Sequence, residues 1–456
     1  MTDDRPERTD SDRSAAPEYR ADLAARNRRQ QVFPSGGFGL QPADGLRVTR
    51  RDTGRWNTEV VEHLGLIYAA STSPIGTANP FARADRIDPV TLASTAVSDE
   101  LPTGGHIWPG GLVSHPNGDL YLLAGNGLYR LDSELRTVSS LELPPDRAHD
   151  GLMVMEDGRL ILKDVRLPGE PAGIIFVVDA DIMTILTQGT IPEPSMHRFA
   201  ADGNDLYIPG DQSIFRYRYR RGGVSRDTSW TGRYRVANGD FGVASDISLG
   251  GQDLWVHDNT DTLERRDLLS AHPVGSLEPP KRFEESFSTA HRLHRISLSN
   301  SSDHVVLTPF AVFDSWVVGA PTSTEAHGVV VTGDSRNGGM AGFRREHDGS
   351  LTKLWRNEVH PRWQPVVYED TAEIVVNDFH IFDDDNIVVV DLHTGQIKAR
   401  SRTGSARPST GGAIATPQGL LYLAGSSLVR VCRQPGPGWA APHARDVALL
   451  PPPGWL

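Results

Sequence analysis

The chain has 456 residues, a net charge of -12, a single cysteine (Cys432), and only four lysines among its 46 basic residues. The acidic balance argues against a nucleic-acid partner, because no broad positive field faces a phosphate backbone, and one thiol excludes an intrachain disulfide framework or a multi-cysteine metal centre. The arginine bias reads as GC-rich coding and points to a bacterial source.

Residues 1–30 are dense in Asp, Glu and Arg and contain no apolar stretch that could act as a signal-peptide core. No later segment reaches the roughly 18 to 20 apolar residues of a spanning helix, so the expectation is a cytoplasmic protein with no membrane partner. Residues 1–33 cannot bury enough apolar surface to offset their ordering entropy. They are expected to form a disordered or weakly helical arm, with Ala21 to Gln31 its best helical stretch.

From about Leu46 the pattern turns to strands. A short apolar run, most often ending in Gly or Asp, starts at Leu66 and again at Leu120, Leu160, Leu206, Leu254, Val329, Ile374 and Leu421. The steps are 54, 40, 46, 48, 75, 45 and 47 residues, the period of a propeller blade. Tight turns precede several runs, as at Pro116-Asn117-Gly118-Asp119 and Glu156-Asp157-Gly158, and a third strand follows most of them. The spacing predicts an all-β chain folded as one closed propeller over 46–432, with 433–456 as an extended cover. The long step at Leu254 is read as an insertion in the fifth blade, giving eight blades, with seven as the alternative. Leu46 to Arg51 is expected to close the ring as the outer strand of the last blade.

The stretches 328–355 and 386–400, with Gly328-Val329-Val330-Val331-Thr332-Gly333-Asp334 and Asp391-Leu392-His393-Thr394-Gly395-Gln396, resemble quinoprotein-type (PQQ-like) propeller repeats. The run Ser114 to Asp132 is more similar to the gluconolactonase and NHL-type repeats. The resemblance covers roughly 57–432 and implies a scaffold shared by enzymes, binding modules and assembly factors. PQQ dehydrogenases carry an adjacent-cysteine disulfide over the quinone. One cysteine cannot make it, which argues against that cofactor. The calcium-dependent lactonase propellers imply instead a ring of carboxylates around a hard cation.

In a four-stranded blade the first strand begins, and the second ends, on the same face of the ring. That register gathers His106, His149 with Asp150, His197, Asp246, Asp314 and His360 with Arg362 at first-strand starts. It gathers Asp164, Asp211, Asp258, Asp334 and Asp378 at second-strand ends, with His257 and His380 beside two of them. His106, His149, His197 and His360 are the candidate ligands for a divalent metal, iron, zinc or calcium. His149, His197 and Arg362 are the candidate catalytic groups, as acid, base and anion anchor, with Trp108 and Trp363 as aromatic walls. The aspartates are read chiefly as turn acceptors, and Asp383-Asp384-Asp385 as a solvated turn. The expected function is binding of a small organic molecule in a His/Asp-lined axial pocket, with lyase, hydrolase or isomerase chemistry. No Gly-x-Ser-x-Gly nucleophile motif is present. The alternative is a non-catalytic scaffold with a protein partner on one face.

Overall fold

Each of the eight apolar runs is the second strand of its own antiparallel sheet: Leu66–Thr72, Leu120–Ala124, Leu160–Asp164, Asp205–Pro209, Asp253–Asn259, Val329–Asp334, Glu373–Asp378 and Gly419–Ala424. The structure is a computed structural model that describes residues 26–74, 77–106, 108, 110–167, 169–235, 243–259, 292–310, 319–334, 339–378, 385–405 and 412–436. Several second strands, such as Leu120–Ala124 and Val329–Asp334, are buried at every position. A sheet covered on both faces calls for an unbroken apolar run, which is why the sequence signal lay there. The outermost strands alternate instead, as Thr137–Glu142 does, because one of their faces meets water.

The sheets, numbered blades 1 to 8 in chain order, close into a ring. First strands of most neighbouring blades touch around the axis. Eight apolar clusters fill the eight gaps between blades, one to each gap, from Val61, Tyr68 and Leu122 between blades 1 and 2 to Ile67, Leu421 and Leu428 between blades 8 and 1. Gly45–Asp52 pairs along its whole length with Ser427–Gln434 and supplies the outer strand of blade 8, as the sequence predicts. The residues responsible for the long fifth step, 260–291, connect the second and third strands of blade 5 and lie outside the described residues. His304–Leu307 is the fourth strand of that blade, not the start of another unit, so the count is eight.

We call upper the face on which first strands begin, and lower the face of the hairpins to the second strands. The arm corrects the sequence reading in its last eight residues. Instead of lying outside the ring, 26–33 run beneath blades 3 to 7 at the lower mouth of the axis. Asn27 Nδ2 donates to Val154 O (2.9 Å), Leu249 N to Arg28 O (2.9 Å), Ser323 N to Gln30 Oε1 (3.0 Å) and Val367 N to Gln31 O (2.8 Å). Arg28 also pairs with Asp202. Val32–Phe33 then adds a parallel strand beside Val366–Tyr368 of blade 7. Over 26–31 this strap is held by polar and main-chain contacts, and Val32 and Phe33 alone pack on apolar clusters, too short a run to leave an apolar period to read. Residues 1–25 and 437–456, the rest of the predicted arm and most of the predicted cover, lie outside the described residues.

Candidate functional site

Arg198, next to His197, reaches across the axis. From the connection into blade 4 its guanidinium meets Asp150 of blade 3 (Nε to Oδ1, 3.1 Å) and Glu59 of blade 1 (Nη1 to Oε2, 3.1 Å), and donates to the carbonyl of Gly110 ahead of blade 2 (3.0 Å). Its main-chain N–H donates to Asp246 Oδ1 in blade 5 at 3.0 Å. Trp108 Nε1 donates to the second oxygen of Asp150 at 2.7 Å. Burial opposes the charge on Arg198, but Asp150 and Glu59 outweigh it and its pKa is raised.

Lys163, the cross-strand partner of Asp150, is fully buried. Its Nζ donates to Ser195 O (2.7 Å) and to Asp164 O (3.2 Å), which pins the connection carrying His197 and Arg198. Burial lowers this amine to about 8, against the pull of Asp150 and Asp164. His197 Nδ1 stands 3.4 Å from Asp246 Oδ1, and its Nε2 is enclosed, with no hydrogen-bond partner among the described residues. Burial alone would raise Asp246. The bond from His197 and the charges of Arg29 and Arg198 hold it well below the usual carboxylate range instead. His197 and Asp246 keep 24% and 28% of their side chains exposed, against 4% for Asp150, so this pair is the accessible edge of the cluster.

The four predicted metal ligands do not share a centre. His106 Nε2 is 2.9 Å from Pro145 O, and His360 sits on Asp378, whose Oδ1 accepts its N–H at 2.8 Å and lies 3.4 Å from Nδ1. His149 is sealed between blades 2 and 3, edge-on to Phe176 with centroids 5.6 Å apart. Among the described residues no three His, Cys, Asp or Glu come together in metal-binding geometry. The reason is strand parity: alternate residues face opposite ways, so His149 faces the blade interface and its neighbour Asp150 reaches the axis. Arg362 is fixed through its main-chain N–H to Asn377 Oδ1 (2.9 Å), and Trp363 stacks on Tyr422 at 5.2 Å within the core. Trp108 alone of the predicted aromatic walls joins the cluster. Glu59, Arg198, Lys163 and Arg29 escaped the sequence reading. Lys163 had a signal, a lysine in an otherwise apolar strand of a lysine-poor chain.

Burial lowers His149 to about 4, so it is neutral when folded and takes up a proton near pH 6.5 when unfolded. The unfolded chain binds more protons between those values. The stability that this neutral ring contributes is complete above pH 6.5 and is lost as pH falls toward 4, on the order of 3 kcal/mol. Urea denaturation of wild type and His149→Phe should therefore diverge over that interval, the wild type alone losing stability on this account. Parallel curves would mean that the ring is charged in the folded protein.

The aspartates act as structural acceptors. Asp164 accepts from Ile174 N (2.7 Å) and Arg166 Nε (2.6 Å), Asp258 is clamped by Arg235 and Arg292 (2.5 Å each), and Asp378 pairs with Arg400. Asp385 corrects the sequence reading, being fully buried rather than solvated. Asp383, Asp384, Asp314 and His380 lie outside the described residues.

No family model matches the chain, and no curated protein does. Solved structures match its architecture. The quinohemoprotein alcohol dehydrogenase of Comamonas testosteroni aligns with a TM-score of 0.56 at 11% identity, covering 94% of this chain and 84% of that one. A europium-containing methanol dehydrogenase gives 0.53 at 10% identity, covering 88% and 89%. Sqt1 of Saccharomyces cerevisiae gives 0.54 at 10%, covering 86% and 100%. What the chain shares with them is the propeller fold. Identity this low carries the fold and nothing of the reaction. The residues present do not fit the quinone and cation of the quinoprotein-type dehydrogenases: Arg198, Asp150, Glu59 and Trp108 satisfy one another across the axis, and Cys432 lies on an outer-blade strand near Arg47 O. Among the described residues no helix is long and apolar enough to cross a membrane.

Proposed function

We propose that the protein binds a small polar organic molecule at the upper end of its axis and acts on it by proton transfer, in the lyase, hydrolase or isomerase class. The observation that carries this reading is the His197–Asp246 pair. A carboxylate on Nδ1 selects the tautomer that leaves Nε2 with a lone pair, the arrangement of a general base. Among the described residues nothing bonds to that enclosed Nε2, which leaves it for a group on a bound molecule. Trp108 adds an aromatic wall.

Native mass spectrometry against a panel of small organic acids, amines and lactones tests the reading. Wild type should retain a compound that His197→Gln loses, with turnover reduced about 100-fold or more in the variant and little change in melting temperature. Equal retention by both would overturn it. One observation favours a second reading, a protein-interaction scaffold. Leu64 (74% exposed), Val90, Val138, Ile182 (67%) and Leu186 project from the lower rim of three consecutive blades, 1 to 3. Full cellular function in His197→Gln would make that rim the working surface.

A further inference from the structure

We infer that Arg29, which arrives from the lower face, is a working part of the His197–Asp246 site and sets how readily His197 takes up a proton. The inference rests on the acid–base reading of His197 and extends it to a residue on the opposite side of the ring.

The strap fixes Arg29 from both flanks. Arg28 is tied to Leu249 by its own main chain and to Asp202 by its side chain, and Gln30 is tied to Ser323. The carbonyl of Arg29 itself accepts from Gln364 Nε2 at 2.9 Å. Held in this way, the guanidinium points up the axis and places Nη2 3.9 Å from Asp246 Oδ2. His197 occupies the other oxygen of the same carboxylate, and the N–H of Arg198 donates to that oxygen. One carboxylate therefore serves an imidazole and two arginines. The ionisable groups around it are Arg29, Arg198, Lys163, Glu59 and Asp150. Burial and the neighbouring Arg198 work against the charge of Arg29, and Asp246, Glu59 and Asp150 work for it.

The charge on Arg29 bears directly on proton uptake. An imidazolium beside Asp246 is stabilised by the carboxylate and destabilised by each cation that shares it. Removing Arg29 should favour protonation of His197, and removing the carboxylate should disfavour it. The strap thus makes the lower face part of the chemistry above.

The test is an NMR titration of the His197 ring resonances, assigned by their loss in His197→Gln. In Arg29→Met the midpoint should rise by about half a unit or more, and Arg29→Lys, which keeps the charge, should return it toward the wild-type value. Asp246→Asn should lower it. A purely structural role for Arg29 would change melting temperature without moving the midpoint. If Arg29→Met does not fold, Arg29→Gln provides the same neutral test. An unmoved midpoint in the neutral variant, with the expected fall in Asp246→Asn, would overturn the role of Arg29 and leave the His197 reading standing. No response to Asp246→Asn would overturn the pair itself.

Discussion

Replacing Asp258 by alanine is expected to destabilise the protein by about 3 to 5 kcal/mol, the cost of leaving a buried charge without its partner. Asp258 and Arg235 are both fully buried, 2.5 Å apart, and Arg292 closes on the other carboxylate oxygen at 2.5 Å. Among the described residues the Arg235 guanidinium keeps one hydrogen bond, to Asp211 O (2.9 Å), and its place over the Tyr234 ring when the carboxylate is removed. Removing both buried charges together, as Asp258→Met with Arg235→Met, should cost less than Asp258→Ala alone, since apolar groups of similar volume often replace a buried pair without loss. Urea denaturation reads both. A loss below about 1 kcal/mol for Asp258→Ala would show that the clamp is solvated.

Asp385→Asn is expected to stabilise the protein at alkaline pH. Burial raises the Asp385 carboxyl to about 7, against the bonds from Asn377, Tyr422 and Thr403, and the nearby Asp378 adds to the rise. In the unfolded chain the group titrates near 3.9. Between those values the folded protein holds the extra proton, so the stability due to Asp385 is complete at low pH and is lost as pH rises through 7. The difference of about three units corresponds to on the order of 4 kcal/mol. The asparagine amide has the same shape and no charge to bury. Its carbonyl can accept from Asn377 Nδ2, and its NH2 can donate to the hydroxyls of Thr403 and Tyr422, which now surround the carboxyl. The variant's advantage over wild type in urea should grow from pH 4 to pH 8. An advantage that does not change with pH would mean that Asp385 is ionised throughout.

The ring was legible because blade interfaces impose a rule on sequence: a strand covered on both faces must be apolar along its length, and eight such strands recur at one period. The site was legible only to within one residue. His149 and Asp150 are adjacent, and so are His197 and Arg198. A repeat register locates where a strand begins but leaves open which of two successive side chains faces the axis. The sequence reading chose His149, which packs on Phe176, where Asp150 reaches Trp108 and Arg198. Arg29 was beyond such reading. Its place depends on single polar contacts to several different blades, and nothing local in 26–33 encodes them.

The strand that seals the ring is made long before its partner. Asp52 and Ser427, joined across blade 8 through Ser427 Oγ at 2.5 Å, are 375 positions apart. At roughly 5 to 20 residues per second on the ribosome, that interval is about 20 to 75 s. Throughout it, Gly45–Asp52 is a strand without a neighbour, the kind of edge that recruits other chains. Its sequence holds Arg47, Arg50 and Arg51 within eight residues, and that density of charge guards a nascent edge until Ser427–Gln434 emerges to cover it.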